Sequence, residues 1–433
     1  MIDLDNLEIN LSQEERDLLF GKQGPTLQKV MKTLVLYGEA LGAERLVDIE
    51  GDGHFVIAWA VPGIAPTMEM LDELISAGLQ TKLPFTLDPK APLDLENLDL
   101  RPEQEETISR LYENQPAYDE RMRKLGLRDP DAYTCNPYQP EVGNIPPKGT
   151  ILAWSESASA IYANSVLAAR TNRNGAIIDL LSNIVGKTPY IGLVTEEGRR
   201  ASWLVKVQTE QLPHPQLLGA VIGEEVVDEV PYIVGLDHFL GRDLNLDSQD
   251  YFHEMGAACA TYGAVGLFHV ENATPEAVDQ GRSLLEEGFN TFVIDDEILK
   301  EHRENYPVFW PDEESKPEKC LIGCPHLSFN QLSWWVTRIL QALDDRNQRR
   351  LAVRTILFVA PQVLEKFRST TGLHQRLLEA GVLFSTSCAE TLYEGEVCSG
   401  DAIVTNSNKL RAYTTARFVP DEELLEIMVK GEI

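Results

Sequence analysis

A chain of 433 residues is too long for one small core and fits two or three α/β units. Its 43% hydrophobic content is ordinary for a globular protein with a sizeable core, and its net charge of −30 excludes the Lys/Arg surplus that nucleic-acid binding needs. No run of about 18 apolar residues is present, which argues against a membrane span. The N-terminus lacks the basic-then-apolar layout of a signal peptide, so a cytosolic, reducing home is expected. There the six cysteines read as thiols or metal ligands rather than disulfides.

The first predicted element is an acidic helix capped by Ser12, with Glu14 and Glu15 in its first turn. Leu27 to Gly42 has helical periodicity through Val30, Met31, Leu34, Val35, Ala40 and Leu41, and leads to a strand over Arg45–Ile49. A second strand is expected over Phe55–Ala60 and a helix over Thr67–Ser76, stopped by Gly78. This alternation points to α/β layers. Asp94 to Tyr133 is charged and poor in β-branched residues, so helices are placed there. Asn136 to Gly149 carries four prolines and two glycines and reads as loop. Further on, Val227–Leu236 is read as strand and Gly256–Val270 as helix then strand. Thr274, Pro275 and Glu276 open a helix that runs to Glu286, followed by a strand over Phe292–Asp295.

A polar, proline-bearing joint over Trp310–Lys319 marks a boundary. Beyond it, strands over Cys320–Gly323, Thr355–Val359, Val382–Phe384 and Ala402–Thr405 alternate with helices over Ser328–Leu343 and Pro361–Thr370, and a helix over Asp421–Val429 closes the chain. Three regions follow: an N-terminal α/β region with a helical insert (1–150), a central α/β domain (151–315) and a C-terminal α/β domain (316–433).

Three short cysteine segments carry the chemistry: Tyr133-Thr134-Cys135-Asn136-Pro137-Tyr138, Gly323-Cys324-Pro325-His326 and Ser385-Thr386-Ser387-Cys388. Each thiol sits beside Pro, Ser or Thr, in turn-like sequence that can aim a side chain into a cleft. Three thiolates with no obvious fourth suit an iron–sulfur cluster in which one iron keeps an open position. A [4Fe–4S] cluster fits that description, and other iron arrangements stay open. The alternative is three inert buried thiols. Cys259 lies on an apolar helical face and is read as core, Cys320 starts an apolar strand, and Cys398 is expected at the surface. Ser157 and Asn164 are seven apart and share a face of a helix expected from Ser157 to Ala169. Arg170 would stand at its end, where a guanidinium can grip a carboxylate in a bidentate fork. His269 follows an apolar run and is the acid–base candidate, with a satisfied structural histidine as the other reading.

The stretch Trp154 to Gly175, WSESASAIYANSVLAARTNRNG, closely resembles the signature of the aconitase X catalytic (large) subunit. The resemblance runs from Glu14 to Gly431 in matching order. Its further segments are Val230-Pro231 with Gly235, Gly263 to Val270 with Thr274 to Ala277, Gly323 to Ser328, and Thr405 to Lys409 with Tyr413. It implies an aconitase-like, multi-domain α/β fold around a central iron site, closed by a swivelling domain that is often a separate small subunit. This chain lacks room for that domain, so a small swivel-domain partner and a heterodimer are expected.

The resemblance implies an iron-dependent hydro-lyase that dehydrates a small hydroxy acid. Its metal ligands would be Cys135, Cys324 and Cys388, and its substrate-binding residues Ser155, Ser157, Asn164, Arg170 and Thr171, with Asn172 beside them. Ser407 and Lys409 join His269 as catalytic candidates, and a serine of the small subunit is a candidate base. Two substrates are implied, mevalonate 5-phosphate and cis-3-hydroxy-L-proline, and the Arg170-to-Gly175 form leans to the first. Two segments depart from the family pattern, Glu50 to Phe55 with His54, and Phe85-Thr86-Leu87-Asp88. They motivate a contrasting reading, a non-catalytic iron–sulfur or ligand-sensing protein of the same fold.

Overall fold

The computed structural model describes residues 7–56, 65–310, 312, 315–393, 397–398 and 400–433. In the N-terminal region, helices surround two short ribbons. Strand β1 (Leu46–Asp48) pairs antiparallel with β4 (Lys187–Pro189), and β2 (Gly53–Phe55) runs parallel to β3 (Phe85–Leu87) with His54 opposite Thr86. Ser12 caps the first helix in a full capping box with Glu15, so two orphan amides of the helix start are satisfied reciprocally. Residues 57–60 of the strand expected over Phe55–Ala60 lie outside the described residues.

The central region is a parallel sheet of β5 (Ala201–Val207), β6 (Pro231–Val234), β7 (His269–Val270) and β8 (Leu285–Ile294), in the order β7-β6-β5-β8. Helices Pro215–Val226 and Leu246–Tyr262 share its core. They approach so closely that a β-carbon on Gly219 would lie 2.2 Å from the Met255 carbonyl oxygen. Glycine is what allows the crossing.

The C-terminal sheet holds β9 (Lys319–Leu327), β10 (Arg354–Val359), β11 (Val382–Ser385), β12 (Ile403–Thr405) and β13 (Arg417–Phe418), ordered β11-β10-β9-β12-β13 and parallel throughout. Strand β9 is buried along its whole length, as a central parallel strand covered on both faces should be. From β9 the chain steps outward to β10 and β11, then returns to the other side of β9 for β12 and β13. The connections leaving β9 and β12 therefore diverge and open a crevice at the carboxyl ends of the strands, the place where such sheets take ligands.

Several expectations are corrected. The helix from Ser157 ends at Ser165, not Ala169, because Ala168 turns into the left-handed region (φ 52°) and Arg170 then bridges Ile151 as extended chain. The helix opened by Thr274 stops at Gln280, and after one tight turn β8 has already begun at Leu285. Cys398 is fully buried rather than at the surface, against helix Pro102–Leu111 and its neighbours.

Candidate active site

The crevice at the ends of β9 and β12 contains a cavity of 120 Å³ lined by Cys135, Cys324 and Cys388 together with Glu156, Ser157, Glu390 and Lys409. Cys135 follows Thr134, whose N–H donates to the Leu87 carbonyl (2.8 Å) at the end of β3. Cys324 stands in the last part of β9, directly after Gly323, where a β-carbon would lie 2.3 Å from the Phe358 carbonyl oxygen of β10. Cys388 follows β11, and its N–H donates to the Lys90 carbonyl (2.9 Å).

His326 ties the three segments together. Its backbone N–H donates to Cys135 Sγ (3.0 Å), its Nε2 contacts the Ser387 carbonyl (3.0 Å) and its Nδ1 contacts Thr134 Oγ1 (3.2 Å). A carbonyl only accepts, so Nε2 carries the ring proton. Burial holds the ring down at about 4, so it stays neutral at physiological pH. Burial also raises all three thiols, Cys324 to about 12, which keeps them protonated until a cation displaces the proton.

Lys409 provides the cavity's ammonium. Its Nζ lies 3.4 Å from Glu156 Oε1 and 3.6 Å from Glu390 Oε2. Burial disfavours this charge, but Glu390, Glu156 and the thiols outweigh it and hold the group well above the ordinary lysine value. Burial likewise disfavours the Glu156 carboxylate, yet Lys409, His54 and Ser159 bring it down to about 2. The other oxygen of Glu156 accepts from Ser159 N–H (2.6 Å) and Ser159 Oγ (2.8 Å) at the start of helix Ser157–Ser165. Ser407 caps the helix that carries Lys409, accepting from Leu410 N–H (3.0 Å) while its Oγ donates to the Cys324 carbonyl.

The two departing segments meet at this cavity. Val56, Asp88 and Pro89 line it, and His54, two residues before Val56, has Nδ1 2.9 Å from Thr86 Oγ1 and, among the described residues, no hydrogen-bond partner at Nε2. Burial pushes His54 down to about 4 against the pull of Glu156. Ser155 sits alongside, its Oγ accepting from Val56 N–H (3.1 Å).

The remaining sequence candidates gather elsewhere. Arg170 pairs with Glu196 (2.6 Å) and donates to the Val194 carbonyl (3.3 Å). His269 opens β7 and contacts the Arg199 carbonyl (2.8 Å) through Nε2, at the amino end of the central sheet and not its ligand-bearing end. Asn164 exchanges hydrogen bonds with Thr171 N–H and carbonyl (2.9 Å each), and Thr171 Oγ1 in turn donates to the Trp154 carbonyl (3.1 Å). Asn172 Oδ1 accepts from Leu193 N–H (3.0 Å). Thr171, held by Asn164, ties down Trp154 ahead of Ser155-Glu156-Ser157, whereas Arg170, Asn172 and His269 contact the Leu193–Arg199 stretch.

Sequence reasoning gives no role to Glu156 or Glu390, and takes Arg173 only as one of two arginines that would suit a phosphate. Glu156 carries one signal, a carboxylate set among small residues where burial is expected. Arg173 lies within electrostatic reach of Glu156 and Tyr413, holds a left-handed backbone (φ 53°), and spends one hydrogen bond on the Ala264 carbonyl (2.9 Å).

Parallel sheets wound about a switch-point cavity, with three thiols and a buried ion pair inside, define a multi-domain α/β protein built around a buried polar centre. Family models describe its regions: the aconitase X first domain matches residues 8–197 and the aconitase X second domain residues 201–304. The chain belongs to the aconitase X family. It is 33% identical over 324 residues to a phosphomevalonate dehydratase large subunit of Thermococcus kodakarensis, covering 74% of this chain and 75% of that one. It is 26% identical over 408 residues to a cis-3-hydroxy-L-proline dehydratase of Pseudomonas aeruginosa, covering 92% and 65%. The crystal structure of Thermococcus kodakaraensis aconitase X in its holo-form superposes with a TM-score of 0.79 at 27% identity, over 98% of this chain and 100% of that one.

Proposed function

We propose that this chain is the large subunit of an iron-dependent hydro-lyase of the aconitase X type, acting on mevalonate 5-phosphate. The observation that carries the reading is the convergence of Cys135, Cys324 and Cys388 on one cavity with Lys409 and Glu156. The substrate is supported by relatives named phosphomevalonate dehydratase large subunit at 33% identity, against 26% for those named cis-3-hydroxy-L-proline dehydratase. Their "large subunit" supports a small-subunit partner, which we take to be the swivelling domain and the source of the base.

The donor set fits an iron–sulfur cluster. Three soft thiol donors lining one cavity are the ligand type that an iron–sulfur cluster takes. When bound, iron with an open position supplies a Lewis acid to the departing hydroxyl, worth several kcal/mol.

The chain's own residues prepare the rest. Glu156, locked by Ser159, keeps the Lys409 ammonium in the cavity, where it can orient an anionic group of the substrate. The Ser157 hydroxyl, which donates to Glu156 Oε1 (3.3 Å) at the cavity wall, is a donor that a substrate oxygen could take over. Asn164 and Thr171 act at one remove in this proposal, by holding Trp154, and Arg170, His269 and Asn172 by holding the neighbouring Leu193–Arg199 stretch. The test is anaerobic iron and sulfide content of wild type beside Cys135→Ser, Cys324→Ser and Cys388→Ser, followed by turnover of both substrates with the small subunit. Each substitution is expected to strip the metal, and mevalonate 5-phosphate to be the better substrate. Iron-free wild type, or variants that keep their iron, would overturn the ligand assignment.

A further inference from the structure

Lys409 is a buried cation whose hydrogen-bonding capacity is not used up. An ammonium offers three N–H donors, and charge-assisted bonds to carboxylates close to about 2.7–2.9 Å. Both contacts of Lys409, at 3.4 and 3.6 Å, are longer than that.

Its two carboxylates are not equivalent. Glu156 is 4% exposed on its side chain and is held independently by Ser159 N–H and Ser159 Oγ. Glu390 is 24% exposed, begins a short helix (Ala389–Tyr393) and, among the described residues, has Lys409 as its one ion-pair partner. Tyr413, 45% exposed, stands at the same cavity and marks its open side. A third anion cannot join two carboxylates around one ammonium without strong like-charge repulsion, so one of them must give way. Glu390 is the one with solvent to move into and no second anchor to break.

We propose that Glu390 is a displaceable placeholder on Lys409, which an entering substrate exchanges for its own anionic group. The inference rests on the dehydratase reading for the identity of that substrate, but the exchange is a property of these three side chains. Glu390 thereby sets specificity: a neutral compound of the same shape gains nothing at Lys409 and leaves the ion pair closed.

The test is calorimetric titration of the full-length protein with inorganic phosphate and with mevalonate 5-phosphate, in wild type, Glu390→Gln, Lys409→Met and Lys409→Arg. Glu390→Gln, which keeps the shape and removes the competing charge, is expected to tighten both ligands roughly tenfold. Lys409→Met is expected to weaken them by on the order of fiftyfold, with Lys409→Arg in between, thermal melts showing that each variant is folded. Glu390→Gln that binds phosphate no better than wild type, or worse, overturns the exchange. If phosphate follows the expected order while mevalonate 5-phosphate neither binds nor turns over, the substrate assignment fails and the exchange stands. If turnover is normal and Glu390→Gln tightens neither ligand, the exchange fails and the assignment stands.

Discussion

Lys409 and Arg199 are both buried cations facing buried carboxylates, and the protein holds them in opposite ways. Arg199 is 2% exposed on its side chain. Its Nε and Nη2 donate to Glu276 at 2.8 Å, and its remaining donors reach the Leu193 carbonyl (3.0 Å) and both oxygens of Asn164 (2.8 and 3.2 Å). Every direction of that guanidinium is filled. Lys409 has two long contacts and a cavity in front of it. A saturated ion pair can only hold structure together, whereas an unsaturated one beside a cavity keeps interaction energy in reserve for a ligand.

Breaking the sealed pair should cost most. Arg199→Met leaves the buried Glu276 carboxylate with only the longer contacts to Arg170 (3.9 Å) and His269 (3.8 Å), and urea unfolding should show a loss of about 3–5 kcal/mol. Because this pair lies apart from the cavity, the folded fraction should keep its full metal content, and a loss of metal in that fraction would erase the distinction between the two clusters.

A third buried ionisable group sharpens the contrast because, among the described residues, it has no ion-pair partner. Asp179 is fully buried, its Oδ2 has no hydrogen-bond partner among those residues, and burial raises it to about 7. A raised carboxyl contributes stability that is whole below the unfolded value near 4 and is lost as pH climbs through 7. Asp179→Asn should therefore match wild type at pH 4 and exceed it by about 1–3 kcal/mol at pH 8 in thermal or urea unfolding. A gap that does not widen with pH would mean that the carboxyl ionises without penalty.

The smallest expected effect is on the anchor of the pocket. Ser159→Ala removes the hydroxyl that Glu156 Oε2 shares with the Cys135 carbonyl, leaving Glu156 the Ser159 N–H and the Ser157 hydroxyl, and should lower stability by about 1 kcal/mol. It should also weaken phosphate binding severalfold by letting Lys409 drift, which titration of the variant would read. Unchanged binding would mean that Lys409 is placed by its own helix alone.

The C-terminal sheet was legible because its strands are short apolar runs between well-signalled helices. Ser328 caps the helix after β9 with a capping box to Gln331, and Pro361 starts the next at its first position. Residues 176 to 226 gave no element, although two helices lie there with strands β4 and β5 between them. The helix Pro215–Val226 is buried on nearly every side, so it shows no polar face, and its glycines look like turns until the neighbouring helix is seen to need them. At the site, the cysteine segments announce themselves through residue type. Glu156 and Glu390 do not, since a carboxylate's role depends on which ammonium the fold brings to it. The overshoot to Ala169 came from reading apolar spacing past Ala168, whose backbone reversal is fixed by Asn164 gripping Thr171. Nothing local encodes that grip.

The ring and amide of His326 join segments that are distant in sequence, 191 positions from Cys135 and 61 from Ser387. Contacts of such separation form only after long loops have closed, which places them late in folding. The cavity is consequently a product of a nearly finished chain. On the proposed reading, cluster loading is then an event of the folded state, entered through the side that Tyr413 and Glu390 leave open.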